Sequence, residues 1–509
     1  MLTRHPRIAA LVLGLISACG FEPLALWPVT LAAFALFMGV IWRAPSLKEA
    51  LFAGWLFGLA HFSLGLNWIQ KAFTYQDAMP HWLGYIAPVL LSVYLAVYPA
   101  IAAGLAWRYG RSDRLRFGIV LAAAWIVVEL LRATLFTGFP WNPLGAIFVP
   151  VLELARASRF IGTYGLSGVA VLAATALFLL PAPECRKRAA ILAAALAAIG
   201  LTGIVRPTPP PADAPRVLIV QPNIDQKQYP TPTQQLRYLE TYERLSRTPS
   251  PGPTLILWPE GAIRYLLEDG YPRYAYDLAP SRQVRGRLAQ LLGEGDILIT
   301  GADALIFDEN QNMVAARNAI FALGPDGQLK HRYDKAHLVP YGEYLPMRAI
   351  LEPIGLSRLL PGSFDFIPGP GPRNMALPPF GAGAMQICYE IVFSGEVVDP
   401  TRRPAFIFNP SNDSWFGSWG PPQHLAQARL RAIEEGLPVL RSTPTGISAL
   451  IDSDGRLLAS VPHKRQGVIE APLPPAARPT LFARMGNWLA WGFALALILL
   501  AVALAPKRR

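Results

Sequence analysis

Eight apolar stretches, most of them about 20 residues long, constrain the fold of this 509-residue chain more than any other feature. A helix of about 20 apolar residues crosses a bilayer core about 30 Å thick, so each stretch is a candidate membrane span. The stretches are residues 7–20, 24–42, 50–69, 84–107, 117–136, 159–180, 189–205 and 486–505. They predict a polytopic α-helical membrane bundle of about eight helices, seven within residues 1–205 and the eighth within 486–509.

The net charge of +12 lies almost entirely in these apolar flanks. Residues 206–485 contain 28 Lys and Arg against 27 Asp and Glu, a net of +1, which leaves +11 for the flanks. A surface that binds nucleic acid would carry the excess of basic residues on the soluble part of the chain. We therefore predict no nucleic-acid partner.

Five basic segments predict the orientation of the bundle. They hold 14 of the 18 flank cations and, with eight spans, all fall on one side of the membrane. The positive-inside rule makes that side the cytoplasm, so both termini are expected there and residues 206–485 outside. The segments contain Arg4 and Arg7; Arg43 and Lys48; Arg108, Arg111, Arg114 and Arg116; Arg186, Lys187 and Arg188; and Lys507, Arg508 and Arg509.

A few residues within the spans have a predicted role of their own. Gly54 and Gly58 form a G-x-x-x-G pair, which indicates a helix-packing face. His61, Glu129 and Arg132 are functional candidates because ionisable groups inside a membrane are costly. Glu129 and Arg132 lie three residues apart on one helix, so we expect them to pair with each other.

The region between spans seven and eight reads as one α/β domain, residues 206–485, entered through a Pro-rich linker. Short β-branched and aliphatic runs predict its strands, and amphipathic stretches between some of them predict helices. The strands are expected at 217–220, 254–258, 297–300, 318–322, 384–387, 405–408, 439–440 and 448–451, and the helices at about 233–247, 282–293 and 421–436. Such alternation is typical of an α/β fold.

A carboxylate, an ammonium group and a thiol each follow a predicted strand or lie in a polar loop of this domain: Glu260, Lys335 and Cys388. A thiol nucleophile needs a base to take its proton, and the oxyanion of its acyl intermediate needs a cation or N–H donors. Taken singly, such a cysteine is more often a small core residue, and such a glutamate or lysine is more often a solvated charge. Together the three can supply these roles without histidine.

The cysteine count supports a functional thiol. Three cysteines are too few for a disulfide scaffold and their spacing matches no zinc site, so we predict neither a metal nor a cofactor. Cys19 falls in a span and Cys185 in a cytoplasmic loop, which leaves Cys388 alone in an exported domain. Exported proteins seldom keep a single oxidisable thiol without a function.

Four motifs in chain order resemble the nitrilase (carbon–nitrogen hydrolase) superfamily: Trp258-Pro-Glu260, Asp334-Lys-Ala-His-Leu-Val-Pro-Tyr-Gly-Glu343, Ile387-Cys-Tyr-Glu390 and Asn409-Pro-Ser-Asn-Asp-Ser-Trp-Phe416. With the spans around them, the full chain resembles the membrane-embedded branch of that superfamily, the apolipoprotein N-acyltransferases. The resemblance implies a nitrilase-like αββα sandwich and a Glu-Lys-Cys triad. It also implies a bacterial inner-membrane enzyme with a periplasmic active site.

The resemblance assigns a role to each residue of the triad. Glu260 is the general base, Lys335 stabilises the oxyanion together with the backbone N–H of Tyr389, and Cys388 forms a thioester. The implied substrates are a phospholipid, expected to be phosphatidylethanolamine and to give its sn-1 acyl chain, and the amine of a diacylglyceryl-cysteine at an apolipoprotein N-terminus. A monomer in the lipid bilayer is expected. The supporting residues carried over from the resemblance are Glu343, Tyr389, Glu390, Asn318, Tyr341 and Trp415.

Two other functions are compatible with parts of the sequence. A membrane-tethered nitrilase-like amidase would use the same thiol, but seven spans before the domain exceed what a tether needs. A transporter or receptor with an external binding domain would need more polar residues within the spans, and the sequence shows no inverted repeat.

Residues 345–373 and 412–422 show no regular pattern and are the candidate lid segments over the site.

Overall fold

The computed structural model describes residues 4–76, 79–225, 230–247, 252–359 and 365–505. An apolar helix or helix pair occupies each predicted span. The helices before the α/β domain are α1 (Pro6–Ala18), α2 (Trp27–Trp42), α3 (Leu47–Gly65), α4 (Ile69–Ala72), α5 (Leu83–Leu95), α6 (Val97–Gly110), α7 (Arg114–Thr134), α8 (Leu152–Ala155), α9 (Ser158–Leu179) and α10 (Arg186–Thr202).

Among the described residues, three helical stretches are long and apolar enough to cross a membrane: Leu83–Gly110, Arg114–Thr137 and Ser158–Leu179. The pair α3 and α4, bent by 50°, makes a fourth if it is one span. Pro6–Ala18, Trp27–Trp42 and Trp488–Ala503 are shorter apolar helices. The chain therefore has a membrane bundle, while the count of eight crossings remains a prediction. The basic residues Lys507, Arg508 and Arg509 lie outside the described residues.

The G-x-x-x-G pair packs as predicted. A Cβ on Gly54 would lie 2.7 Å from the Cβ of Ala103, and one on Gly58 would lie 2.9 Å from the Cα of Ala96. Both neighbours belong to the stretch formed by α5 and α6. The two glycines therefore allow α3 to approach this stretch closely.

The expected pairing of Glu129 with Arg132 is wrong. Glu129 accepts hydrogen bonds from the indole of Trp125 at 3.0 Å and the backbone N–H of Leu144 at 2.8 Å. Arg132 instead donates to the carbonyl oxygens of Phe139 and Trp141, at 2.8 and 2.9 Å. The loop after α7 folds back over the end of the helix, and its backbone groups bond to both side chains. A structural role explains them without chemistry.

His61 also has a structural partner. Its Nδ1 lies 2.7 Å from the hydroxyl of Ser17 on α1, and its ring packs against Phe21, Phe57 and Phe62. The histidine joins α3 to α1 inside the bundle.

The α/β domain contains two six-stranded sheets in the described part of the chain. Its strands are β1 (Arg216–Gln221), β2 (Thr254–Leu257), β3 (Ile297–Phe307), β4 (Met313–Leu323), β5 (Leu329–Asp334), β6 (Asn374–Ala376), β7 (Ala382–Met385), β8 (Phe406–Pro410), β9 (Val439–Ser442), β10 (Ser448–Ile451), β11 (Leu457–Val461) and β12 (Gly467–Pro472). The strand orders are β12-β1-β2-β3-β4-β5 and β11-β10-β9-β8-β7-β6. In each sheet three consecutive strands are parallel, β1-β2-β3 and β7-β8-β9.

The sheets pack face to face with helices outside, which is the predicted αββα sandwich. The helices of this part are α11 (Pro232–Ser246), α12 (Ser281–Ala289), α13 (Arg348–Leu351), α14 (Gly420–Glu435), α15 (Leu481–Met485) and the apolar α16 (Trp488–Ala503). Alternate residues of β1 divide between the layers: Val217 and Ile219 enter the core between the sheets, while Leu218 and Val220 face Leu239 of α11. The Ser442 hydroxyl on β9 donates to the carbonyl of Val220 at 2.8 Å and so joins the two sheets.

Helix α14 connects the sandwich to the bundle. It packs against β9 on one side and against α9 on the other, and α15 also packs against α9. The outer layer of the second sheet is thus the interface with the membrane helices. This arrangement fixes the domain on the bundle through secondary structure rather than through the Pro-rich linker alone.

One of the two predicted lid segments is wrong. In residues 412–422 the chain forms a 3-10 helix, Asp413–Phe416, and then begins α14, and Asp413 is completely buried. The Pro and Gly residues there start a helix instead of forming a mobile loop, because proline suits the first turn. In the other segment α13 is short, and residues 360–364 lie outside the described residues.

Candidate active site

Cys388 lies in a tight turn between β7 and a 3-10 helix, Cys388–Val392. Its φ is +52°, in the left-handed region that a residue with a side chain adopts at a cost of order 1–3 kcal/mol. Only 5% of its surface is exposed. A strained residue three positions after a strand of the sandwich is a candidate functional position.

The Cys388 thiol is protonated in the resting protein. Burial, and then the charge of Glu260, raise the pKa of the thiol above its usual value, against an opposing effect of Lys335. The charges of Glu260 and Lys335 therefore both act on this thiol. A protonated thiol needs a base during the reaction, since the thiolate is the nucleophile.

Lys335 follows directly after β5 and is 1% exposed. Its Nζ lies 3.0 Å from Oε1 of Glu343 and 3.4 Å from Oε1 of Glu260. Burial opposes the charge of the lysine, but the two carboxylates outweigh it and raise the pKa of the ammonium group. Lys335 is therefore a permanent buried cation, which suits a group that stabilises an oxyanion.

Glu260 lies three residues after β2, and its carboxylate accepts from Asn318 and Asn412 besides Lys335. Its Oε2 accepts from the backbone N–H of Asn412 at 2.7 Å, and its Oε1 accepts from Nδ2 of Asn318 at 2.7 Å. Asn318, on β4, also donates to Oε1 of Glu343 at 3.0 Å. Oε2 of Glu343 accepts from the N–H of Val339 at 2.8 Å. One asparagine thus spaces the two carboxylates on either side of the lysine.

Glu390 fastens the lysine loop to the cysteine turn. Its Oε1 accepts from the N–H groups of Ala336 at 2.7 Å and His337 at 3.1 Å and from the Tyr333 hydroxyl at 2.9 Å. Its Oε2 accepts from the N–H of Ile387 at 2.6 Å. Burial raises the pKa of Glu390 to about 7. Glu390 therefore fixes the backbone next to Lys335 through one oxygen and the backbone next to Cys388 through the other.

The other supporting residues lie further out. The Tyr389 hydroxyl donates to the carbonyl of Gly138 in the bundle at 3.3 Å, and Trp415 packs on Tyr75 with ring centroids 5.6 Å apart. Tyr341 is 45% exposed with φ of +62°. None of these three side chains has a hydrogen bond to Glu260, Lys335 or Cys388 among the contacts that the described residues make.

A buried polar network lies under the cysteine turn. Two of its side chains, Asn409 and Asp413, belong to the fourth motif, whereas His424 and Arg441 lie outside the motifs. His424 and Asn409 contact the carbonyl oxygen of Cys388, at 3.1 Å from Nε2 and 3.4 Å from Nδ2. Arg441 contacts both of these side chains and makes a two-point ion pair with Asp413, at 2.9 and 2.7 Å. All four side chains are completely buried.

Within the described ranges, no group of three or more His, Cys, Asp or Glu residues is arranged to hold a metal ion.

Two family matches divide the chain in the same way as its fold. Residues 13–176 match the family described as the apolipoprotein N-acyltransferase N-terminal domain, and residues 216–479 match the carbon-nitrogen hydrolase family. The first match covers helices of the bundle, and the second covers the sandwich with the candidate active site.

Curated bacterial proteins are similar over nearly the whole length. The apolipoprotein N-acyltransferase of Rhodopseudomonas palustris is 35% identical over 98% of this chain and 95% of its own. The protein of that name from Bradyrhizobium diazoefficiens is 35% identical over 99% and 95%. The one from Allorhizobium ampelinum is 33% identical over 93% and 90%.

Proposed function

Because the chain belongs to the apolipoprotein N-acyltransferase family and is thus a membrane-embedded acyltransferase of lipoprotein maturation, we propose that Cys388 carries the transferred acyl group as a thioester. The observation that supports this assignment is the buried cluster around the thiol, in which Lys335 lies 3.0 Å from Glu343 and 3.4 Å from Glu260. The cluster combines a base, a permanent cation and a nucleophile. An amidase tethered to the membrane and an external binding protein are not needed to explain it.

The first half-reaction forms the thioester. Glu260 takes the proton of the Cys388 thiol, and the thiolate attacks the sn-1 ester carbonyl of a phospholipid, proposed to be phosphatidylethanolamine. Lys335 and the N–H of Tyr389 stabilise the tetrahedral oxyanion. When the intermediate collapses, the ester C–O bond breaks and the leaving alkoxide takes the proton from Glu260. The products are a lysophospholipid and acylated Cys388.

The second half-reaction forms the amide. The amine of a diacylglyceryl-cysteine at an apolipoprotein N-terminus attacks the thioester carbonyl, and Glu260 takes a proton from the amine. The C–S bond then breaks, and the Cys388 thiolate is protonated by Glu260. Two half-reactions through one covalent intermediate predict ping-pong kinetics. The resting thiol, whose pKa is raised, is stable between cycles.

The experiment is mass spectrometry of the purified full chain in detergent after incubation with phosphatidylethanolamine. The expected result is a mass increase of one acyl chain on Cys388, which disappears when a lipopeptide with a free diacylglyceryl-cysteine amine is added. Cys388→Ala should show no adduct, whereas Cys19→Ala and Cys185→Ala should be acylated like the parent chain. An adduct on another residue, or one that survives in Cys388→Ala, would contradict the proposal.

We also propose that the enzyme is a monomer in the bacterial inner membrane, with cytoplasmic termini and a periplasmic domain at residues 206–485. The support is the agreement of separate basic segments. A cysteine introduced at exposed Tyr274 should react with a membrane-impermeant maleimide in intact spheroplasts, and one introduced at Arg111 only after permeabilisation. The reverse labelling pattern would show that the domain faces the cytoplasm, contrary to the proposal.

A further inference from the structure

The peptide group between Cys388 and Tyr389 is held from one side only. Its carbonyl oxygen lies 3.1 Å from Nε2 of His424 and 3.4 Å from Nδ2 of Asn409. In a trans peptide the C=O and N–H bonds point in opposite directions in one plane. Two contacts on the carbonyl therefore also fix the direction of the Tyr389 N–H. Among the described residues, no backbone acceptor is paired with that N–H.

The proton positions of the network follow from its acceptors. A carbonyl oxygen only accepts, so Nε2 of His424 must carry a hydrogen. Burial, and then Arg441, lower the pKa of His424, which keeps the ring neutral and leaves a lone pair on Nδ1. That nitrogen lies 3.1 Å from Nη2 of Arg441 and 3.1 Å from Oδ1 of Asp413. In the neutral ring Arg441 donates to it and so selects the tautomer in which His424 donates to Cys388.

Arg441 orients the second donor in the same way. Its Nη1 donates to Oδ1 of Asn409, so the amide of Asn409 turns its Nδ2 towards the carbonyls of Gln386, at 2.7 Å, and Cys388. Asp413 balances the charge of the arginine through two short contacts. One buried cation therefore determines which atom each neighbour presents to the cysteine turn.

We propose that His424 and Asn409, oriented by Arg441, are positioning residues that hold the Tyr389 N–H as an oxyanion donor. The inference rests on the thioester mechanism proposed above and identifies the side chains that fix one of its two donors. They touch neither substrate nor the reacting sulfur atom. We expect their effect mainly in steps that pass through an oxyanion, because Glu260 and Lys335 are the charged groups that act most strongly on the Cys388 thiol.

Two reactions of the same thiol separate this role from a general structural one. Thioester formation passes through an oxyanion, whereas alkylation of Cys388 by iodoacetamide forms a C–S bond and releases iodide without one. We expect His424→Leu to slow thioester formation by about 100-fold, the usual effect of losing an oxyanion donor. The alkylation rate should stay within about threefold of the parent value. His424→Gln, whose Nε2 replaces the lost donor, should restore most of the rate.

Asn409→Asp provides an independent variant if His424→Leu does not fold. It keeps the side-chain volume and the contact with Arg441, but presents an acceptor to the Cys388 carbonyl. The same selective loss is expected. Equal thioester rates in parent and variants, or a parallel fall of acylation and alkylation, would overturn the inference. A parent enzyme that alkylates but forms no thioester would instead overturn the proposed function, so the two failures are distinguishable.

Discussion

Glu434 of the sandwich caps a break in a membrane helix, because its Oε1 accepts from the backbone N–H of Thr163 at 2.6 Å. Gly162, with φ of +71°, interrupts α9 there, and a Cβ at this position would lie 2.5 Å from the ring of Phe482. The interruption removes the helical acceptor of the Thr163 N–H, and Glu434 replaces it. The same Oε1 accepts from the hydroxyls of Thr163 at 2.7 Å and Ser394 at 2.8 Å.

A buried ion pair extends this contact to the cysteine turn. Nε of Arg431 lies 2.7 Å from Oε2 of Glu434, and both side chains are buried. Nη1 of Arg431 donates to the carbonyl of Val392, the last residue of the 3-10 helix that begins at Cys388. The membrane bundle and the cysteine turn are therefore joined through one pair of charges on α14.

We expect Glu434→Ala to lower the stability of the whole chain by about 3–5 kcal/mol, because it leaves Arg431 buried without its counter-charge. The measurement is the apparent Tm of the purified protein in detergent. The matched control is Glu352→Ala, which breaks the exposed 3.3 Å pair with Arg348. Exposed pairs contribute at most about 1 kcal/mol, so the control should change little. Similar losses in the two variants would show that the buried pair contributes no more to stability than an exposed one.

The residues of the triad could be predicted from the sequence because each one follows a strand closely. An apolar run that ends in Glu260 or Cys388 is visible in a single sequence, and the motif resemblance then selects Lys335 among many cations. The predicted strands are present, and the predicted helices match α11, α12 and α14. The edge strands β5, β6, β11 and β12 were not predicted. β5 is mostly polar, β6 has three residues, and a Ser in β11 and a Glu in β12 interrupt their apolar residues.

The buried polar face of α14 could not be predicted because its sequence pattern has another common meaning. Gln423, Gln427, Arg431 and Glu434 recur every three or four residues on α14, and such a polar stripe normally indicates a face in water. In the structure these residues are buried, since α9 covers that side of α14. Only a tertiary contact with the bundle turns this polar face into an interior one. The break at Gly162 also gave no signal in the sequence, because this glycine lies inside an apolar stretch.

Two substitutions of Asn318 should slow thioester formation in an unexpected order, with the conservative one slower. It donates to Glu260 at 2.7 Å and to Glu343 at 3.0 Å. Asn318→Asp keeps the shape but places a third carboxylate against these two, whereas Asn318→Ala only removes the donor. We expect the aspartate variant to form thioester more slowly than the alanine variant, because like charges in a buried site repel strongly. Asn310→Asp, in an exposed turn, is the control and should act like the parent. An aspartate variant as active as the parent would contradict the role given to Asn318.

Glu390→Gln should slow thioester formation by about 10- to 100-fold without abolishing it, since small displacements of reacting groups have effects of this size. Glutamine keeps one oxygen for the N–H groups of Ala336 and His337 but turns its NH₂ towards the N–H of Ile387. The lysine loop and the cysteine turn then lose their shared acceptor. Tyr333→Phe removes a single bond to Glu390 and is expected to have a smaller effect. The initial rate of acylation is the measurement for both variants. A larger loss in Tyr333→Phe than in Glu390→Gln would contradict the role of Glu390 in joining the lysine loop to the cysteine turn.

Replacement of Glu435 should stabilise the protein by an amount that depends on pH. Burial, and then the charge of Glu434, raise the pKa of Glu435 to about 7 from its ordinary value of 4.5. Between these two values the folded state keeps a proton that the unfolded state has lost, so this group makes stability fall as the pH rises through the window. Above pH 7 the cost reaches about 3 kcal/mol, from about 1.4 kcal/mol for each pH unit. Glu435→Gln removes a charge that the fold disfavours. Its apparent Tm relative to the parent should therefore rise between pH 5 and pH 8, and a difference that stays constant over that range would show that Glu435 is already ionised at pH 5.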